Sequence, residues 1–251
     1  MTNAKDGQRT LVTFLLDRTQ SMGIIKESTI EAFNGYVDGL QNGDGAGLVD
    51  FTLIQFDTIS IDKLCVGVPV AKAVKLNNDN YQPRGATPLI DAAYKTIKAV
   101  EASLNGKQPK IVICIQTDGE ENSSREHTWD ELQDLIKEKT TLGWQFNFMG
   151  AGIDAYKRGH RMGIAASATV SYDHLSPHAT RAVFGAQAMN TSSFASGARM
   201  YTLYSASQKS LAGDRFDPNR GISGSAKVVQ PQTVTAKSAV KKAVVEDFSL
   251  K

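Results

Sequence analysis

Short apolar runs alternate along this chain with longer amphipathic stretches. Residues 11–16 are almost wholly apolar, the composition of a strand covered on both faces in a parallel sheet. After Met22-Gly23, the residues Ile30, Phe33, Val37 and Leu40 recur at three- and four-residue steps. That spacing predicts a helix with one face on the sheet, closed by the turn residues Asn42-Gly43-Asp44-Gly45. Residues 48–56 and 59–68 read as strands joined through Asp57-Thr58, a link so short that it permits only an antiparallel hairpin. Residues 69–84 are loop-like. Pro88 suits the first turn of a helix that turns Leu89, Ala93, Ile97, Val100 and Leu104 inward and ends at Asn105-Gly106.

The same alternation continues. Residues 111–117 form another buried-strand run, and Thr128 with Glu131 has capping-box spacing for a helix carrying Trp129, Leu132, Leu135 and Ile136 inward. A strand over 144–149, a helix over 154–162, a strand over 169–172 and a helix over 177–190 follow, the last with Val183, Phe184 and Met189 as core candidates. Strands alternating with helices, plus one antiparallel edge, predict a doubly wound three-layer α/β sandwich. Its sheet is Rossmann-like, six-stranded and mostly parallel. Beyond Arg199 the pattern weakens, Gly, Ser, Pro, Gln and Lys become frequent, and basic residues outnumber acidic ones by roughly two to one. The division expected is a domain over 1–200 and a basic, weakly structured C-terminal extension over 201–251. Tyr201, Leu203 and Tyr204 are expected to pack back on the domain, and a short element is expected at 239–248.

The chemistry gathers where two of the buried runs end. The first stops at Asp17, and every second residue from there carries an oxygen: Asp17, Thr19, Ser21. Alternate side chains of an extended segment point the same way, so one carboxylate and two hydroxyls converge while Arg18 and Gln20 face elsewhere. The run over 111–117 ends likewise on an acid, Asp118, followed by Gly119. Between them Gly85-Ala86-Thr87-Pro88 is a punctuated loop whose Thr87 immediately precedes a helix. Ligands of open α/β sheets bind outside the carboxyl ends of strands, where neighbouring strands send their connections to opposite faces. If the strands ending at Asp17 and Asp118 are such neighbours, their carboxylates flank that crevice. At about 6 Å they would repel by roughly 3 kcal/mol at an effective dielectric near 20, a cost that a divalent cation turns into attraction.

Asp17-x-Thr19-x-Ser21, then Thr87, then Asp118-Gly119, resembles the metal-ion-dependent adhesion site of von Willebrand factor type A domains, in particular stand-alone prokaryotic and phage forms. The family pattern is Asp-x-Ser-x-Ser, a distant Thr and a distant Asp followed by Gly; here Thr19 replaces a Ser but keeps the hydroxyl, and Gln20 stands where Gly is frequent. The resemblance covers roughly residues 10–200. It implies that Asp17, Thr19, Ser21, Thr87 and Asp118 hold Mg²⁺ or Mn²⁺ octahedrally, the hydroxyls directly and some carboxylates through water. Two carboxylates balance the ion's charge, and neutral hydroxyls leave it electrophilic enough to accept an Asp or Glu of a partner protein. The function implied is adhesion-type protein binding. A second reading is a structural or assembly protein, of a phage virion for example, with the extension as an arm; relatives of this type are sometimes paired with an ATPase.

Composition adds bounds. The 251 residues, 41% hydrophobic and 22% charged, are those of an ordinary globular protein, and a net charge of +2 gives no ground for nucleic-acid binding. Residues 1–10 are polar, and no run reaches the length of a membrane span, so no membrane role and a cytoplasmic (or virion) location are expected. Cys65 and Cys114 both fall in expected strands and read as buried free thiols. No phosphate-binding Gly-rich loop occurs, and a second acid is missing where an Asp-x-Asp phosphatase would have one. His127, His160, His174 and His178 lack metal-ligand spacing, and Ser223 misses the nucleophile-elbow pattern. The chain is therefore expected not to be an enzyme, with a metal-dependent hydrolase as the remaining catalytic alternative.

Overall fold

A computed structural model describes residues 8–219. Six strands, β1 (Thr10–Asp17), β2 (Val49–Phe56), β3 (Ile61–Pro69), β4 (Lys110–Thr117), β5 (Gln145–Ala151) and β6 (Thr169–Tyr172), make one sheet in the order β3-β2-β1-β4-β5-β6. All neighbours are parallel except β2 and β3. The helices are α1 (Lys26–Gln41), α2 (Leu89–Ser103), α3 (Trp129–Thr141), α4 (Ala155–Arg161), α5 (Pro177–Ala195) and α6 (Ala206–Leu211). This is the predicted mixed sheet with one antiparallel edge strand.

Period-two alternation divides the core. Val12, Phe14 and Leu16 of β1 join Phe33, Tyr36 and Val37 of α1 and Val183 and Phe184 of α5 on one face. Leu15, Ile113 and Ile115 join Ala93 and Ile97 of α2 and Leu132 and Ile136 of α3 on the other. The Phe14 ring lies 5.3 Å from Phe33, 5.0 Å from Tyr36 and 5.8 Å from Phe184. Such aromatic pairs add about 0.5–1.5 kcal/mol each beyond their buried area, so β1 is clamped at the centre.

Several expectations shift. β3 starts at Ile61 and not at residue 59, because the Asp57 carboxylate accepts from the Ile59 and Ser60 amides at 2.6 and 2.9 Å and holds them in a turn. α5 continues to Ala195, past 190, and Met189 is not core: its side chain is 56% exposed. Five residues on from Phe184, it lies about 140° round the helix. The inward positions there belong to Gln187, Asn190 and Thr191, polar residues that a search for apolar periodicity passes over. They are hydrogen-bonded: Gln187 Nε2 donates to Asn147 Oδ1 (3.2 Å) and Thr191 Oγ1 (3.0 Å), and Arg199 donates to Asn190 Oδ1 (2.6 Å). Both cysteines are free, but only Cys114 is buried, because Cys65 lies on the edge strand.

Past Arg199, Tyr204 is buried, Leu203 half-buried and Tyr201 exposed. Asp214 is also buried and accepts from the Ser171 amide at 3.0 Å. Ser223 and the element expected at 239–248 lie outside the described residues. Among those residues no helix is long and apolar enough to cross a membrane.

Candidate metal centre

β1 and β4 are adjacent and in register, Leu16 opposite Gln116, so their carboxyl ends open into one crevice. The chain leaves β1 towards α1 on one face and reaches β4 from α2 on the other, which is where sheets of this kind place ligands. Asp17, the last residue of β1, is fully buried. Its Oδ1 accepts from the Thr19 amide at 2.7 Å, and its Oδ2 accepts from the Thr117 hydroxyl at the end of β4. The first of these is an Asx turn, a carboxylate folding its own downstream backbone.

The convergence of Thr19 and Ser21 has a different cause from the one expected. Thr19 is extended, at φ −77 and ψ 166, but Gln20–Ile25 is a 3-10 turn closed by the Met22 amide on the Thr19 carbonyl at 3.0 Å. Ser21 reaches the crevice by that turn and not by strand alternation. Its hydroxyl lies 3.2 Å from Thr19 Oγ1 and donates to Asp118 Oδ1 at 2.7 Å. A continuous path of hydrogen bonds therefore runs from Asp118 through Ser21 and Thr19 to Asp17 and Thr117.

Thr87 arrives from a third segment. The Gln20 amide donates to the Gly85 carbonyl at 3.1 Å, and the Arg84 amide to the Arg18 carbonyl at 2.9 Å, zipping this loop to the first one. Gly85 takes φ +68, and a Cβ there would fall 2.5 Å from Thr58 Oγ1, so glycine alone fits. The Thr87 amide donates to Asn122 Oδ1 at 2.9 Å, and the Thr87 carbonyl accepts from the Asn122 amide at 3.2 Å. A Cβ on Gly119 would lie 2.8 Å from Thr87 Oγ1; its absence lets that hydroxyl sit directly beside the Asp118 segment. All five expected residues thus meet at one end of the sheet.

Supporting residues carry no comparable mark in the sequence. Tyr81, from the segment that reads as plain loop, is fully buried and donates its hydroxyl to the Asp17 carbonyl at 2.8 Å. Arg18 does face away, into an ion cluster: it pairs with Asp57 at 2.7 Å and Asp62 at 2.8 Å, and Arg84 donates to Asp57 at 2.9 Å. One buried carboxylate, Asp57, so binds two of the loops to the β2–β3 hairpin. Glu121 is not free to meet a partner. Its carboxylate accepts from the Ile90 amide (2.8 Å), capping α2 from outside, and from the Ser123 and Ser124 amides (2.9 and 2.7 Å). The only signal for these roles was composition, an arginine between two strand-end oxygens and an isolated tyrosine in a polar loop.

Burial pushes the Asp17 carboxyl up to about 6, against the hydrogen bonds from Thr117 and Thr19, and the charge of Asp118 adds to the rise. Asp118, half-buried, is also raised by desolvation, and the Ser21 hydroxyl, His174 and Arg158 pull it back. Among the described residues neither acid belongs to an ion pair. No group of three or more His, Cys, Asp or Glu gathers among them either. The crevice is thus two acids joined by neutral hydroxyls, an oxygen-only set of donors. That donor set suits a small hard cation and not a thiophilic one.

No protein-family model matches the chain, and no curated protein matches it. Solved structures do. The pilus adhesin SpaC from Lactobacillus rhamnosus GG, in its open conformation, is 12% identical with a TM-score of 0.59, over 75% of this chain and 30% of that one. Proximal thread matrix protein 1 from the mussel byssus is 11% identical with a TM-score of 0.55, over 73% of this chain and 48% of that one. The manganese-loaded Plasmodium vivax TRAP protein is 16% identical with a TM-score of 0.50, over 67% and 70%. The match spans less than half the length of the first two proteins. At these identities the likeness establishes the architecture alone, a doubly wound α/β fold like that of von Willebrand factor A domains.

Proposed function

We propose that this domain is a protein-binding module in which Asp17, Thr19, Ser21, Thr87 and Asp118 hold Mg²⁺ or Mn²⁺ and present it to an Asp or Glu of a partner protein. The observation that carries this reading is the buried Asp17, in no ion pair among the described residues, joined through Thr19 and Ser21 to Asp118 from a separate strand. When bound, the ion supplies an electrophilic position for an outside carboxylate. The protein's part is to hold the oxygens in place: Thr117 and Tyr81 fix Asp17, Asn122 and Gly119 fix Thr87, and the Asp57 cluster locks the loops together. The Plasmodium vivax TRAP protein, which shares the architecture, is manganese-loaded, and that is consistent with this use of the fold.

Binding is favoured over turnover because the solved structures that share the architecture include a pilus adhesin and a byssal thread matrix protein. In this reading the chain beyond the domain serves as an extension. The direct test is a Mn²⁺ titration followed by electron paramagnetic resonance. One ion per chain, released by EDTA and lost in Ser21→Ala and Asp118→Ala, is expected; retention of the ion in both variants defeats the reading.

A further inference from the structure

Beside the metal centre, α3 and α4 border a cavity of about 480 Å³. Its wall carries three cations, Lys157, Arg158 and Arg161, with the aromatic rings of Trp129 and Phe216. Two of the acids bordering it are already engaged. Glu121 caps α2, and Asp154 accepts from the Tyr156 and Lys157 amides at 3.1 and 3.3 Å. Among the described residues Glu120 alone of these acids pairs with one of the cations: its Oε1 accepts from Arg158 Nη2 at 2.8 Å while its side chain stays 86% exposed.

Arg158 is the informative group. Its side chain is 14% exposed, and its Nη1 is buried without a partner among the described residues. A guanidinium is a planar fork that matches a carboxylate with two parallel bonds, and here only one prong is bonded. A buried donor left unpaired is costly, so the geometry calls for a further acceptor. Arg161 is held with its guanidinium 4.5 Å above the Trp129 ring and belongs to no ion pair among the described residues.

We propose that this cleft is a second carboxylate subsite, centred on Arg158, for an Asp or Glu on the same partner segment that reaches the metal centre. Glu120 stands in for that carboxylate in the free protein and is displaced by it. The inference rests on the metal-centre reading for the first contact, and the spacing is compatible with one short peptide. Glu120 is two residues past Asp118, a backbone span of about 7 Å at most, and side chains two residues apart on an extended partner lie on one face about 7 Å apart.

The probes are two acetylated, amidated peptides, Glu-Gly-Glu and Glu-Gly-Gln, titrated by isothermal calorimetry and ¹⁵N NMR with Mg²⁺ and with EDTA. The two-acid peptide is expected to bind about tenfold tighter than the one-acid peptide. Arg158→Gln erases that advantage, read as the ratio of the two peptides' affinities within the variant. Glu120→Gln, which removes the internal competitor, tightens the two-acid peptide by a few-fold, a gain that a purely structural Glu120–Arg158 pair does not give. Equal affinities for the two peptides overturn the subsite, and so does an advantage that survives Arg158→Gln. Should Arg158→Gln fold poorly, Glu120→Gln decides alone, and no gain in it overturns the subsite. Binding that ignores EDTA but keeps the Arg158 dependence sinks the metal reading and supports the subsite. Mg²⁺-dependent binding blind to the second acid does the reverse.

Discussion

Ser21 and Asp118, 97 residues apart in the chain, are joined by a 2.7 Å hydrogen bond from the serine hydroxyl to the carboxylate. One partner lies in the turn after β1 and the other in the loop after β4, so the bond spans the crevice between adjacent parallel strands. Ser21 is exposed and Asp118 half-buried, and neither belongs to the apolar core. Ser21→Ala and Asp118→Ala should therefore cost the fold no more than about 0.5–1 kcal/mol while removing divalent-ion binding. Urea unfolding in EDTA beside the Mn²⁺ titration checks both halves; loss of metal only through global unfolding contradicts the assignment.

The pH dependence has a definite sign. Folding raises the Asp17 carboxyl from the ordinary carboxylate range to about 6. The folded state therefore binds the proton more tightly, and the Asp17 contribution to the stability of the metal-free protein is fully present below about pH 4. That contribution is lost as pH rises through about 6, an amount on the order of 3 kcal/mol. Metal competes with that proton, so Mn²⁺ affinity should climb across the same window and level off above it. Urea midpoints in EDTA at pH 4.5, 5.5 and 7, repeated with saturating Mg²⁺, check it. A rise in metal-free stability over that range is the contrary result.

Tyr81 reaches Asp17 through its main chain, not its carboxylate. Tyr81→Phe keeps the ring in the core and leaves a buried carbonyl short of a donor, a loss of about 1–3 kcal/mol. Because the Asp17 backbone is then less firmly held, Mn²⁺ affinity should fall several-fold, a smaller drop than in Ser21→Ala. Affinity unchanged alongside the loss of stability would confine Tyr81 to the core.

Asp57 is buried between Arg18 and Arg84. Removing it in Asp57→Ala leaves the buried Arg18 with only the exposed Asp62 for charge compensation, and breaking such a pair costs about 3–5 kcal/mol. The same change frees the Arg84–Gly85 segment that delivers Thr87, so metal affinity should fall with stability. Arg84→Ala, on the more exposed member, should cost far less stability and a comparable share of affinity. Thermal melts and Mn²⁺ titrations of the two variants separate the effects.

Much of the site was legible because its residue types are local. An apolar run that stops on an acid marks a strand end, whatever lies beside it, so Asp17 and Asp118 stood out at once. The Thr128 capping box likewise closes within four residues, and the structure contains both of its hydrogen bonds. Met189 and the start of β3 misled for the opposite reason. The inward side of α5 is polar, and the first residues of the expected strand were claimed by the Asp57 carboxylate.

The sequence by itself determined the order and type of the elements from β1 through α5, the antiparallel edge, and the oxygen-bearing residues that close two buried strands, but not α6. These follow from period, hydrophobicity and turn chemistry, each of which is written within a dozen residues. Only the tertiary structure decided that β1 and β4 lie side by side, that a 3-10 turn and not strand alternation aims Ser21, and that Tyr81, Asn122, Asp57 and Glu121 hold the loops in place. Each of those contacts joins segments distant in the chain, and a hydrogen-bonding side chain carries no local mark of the partner that folding will bring to it.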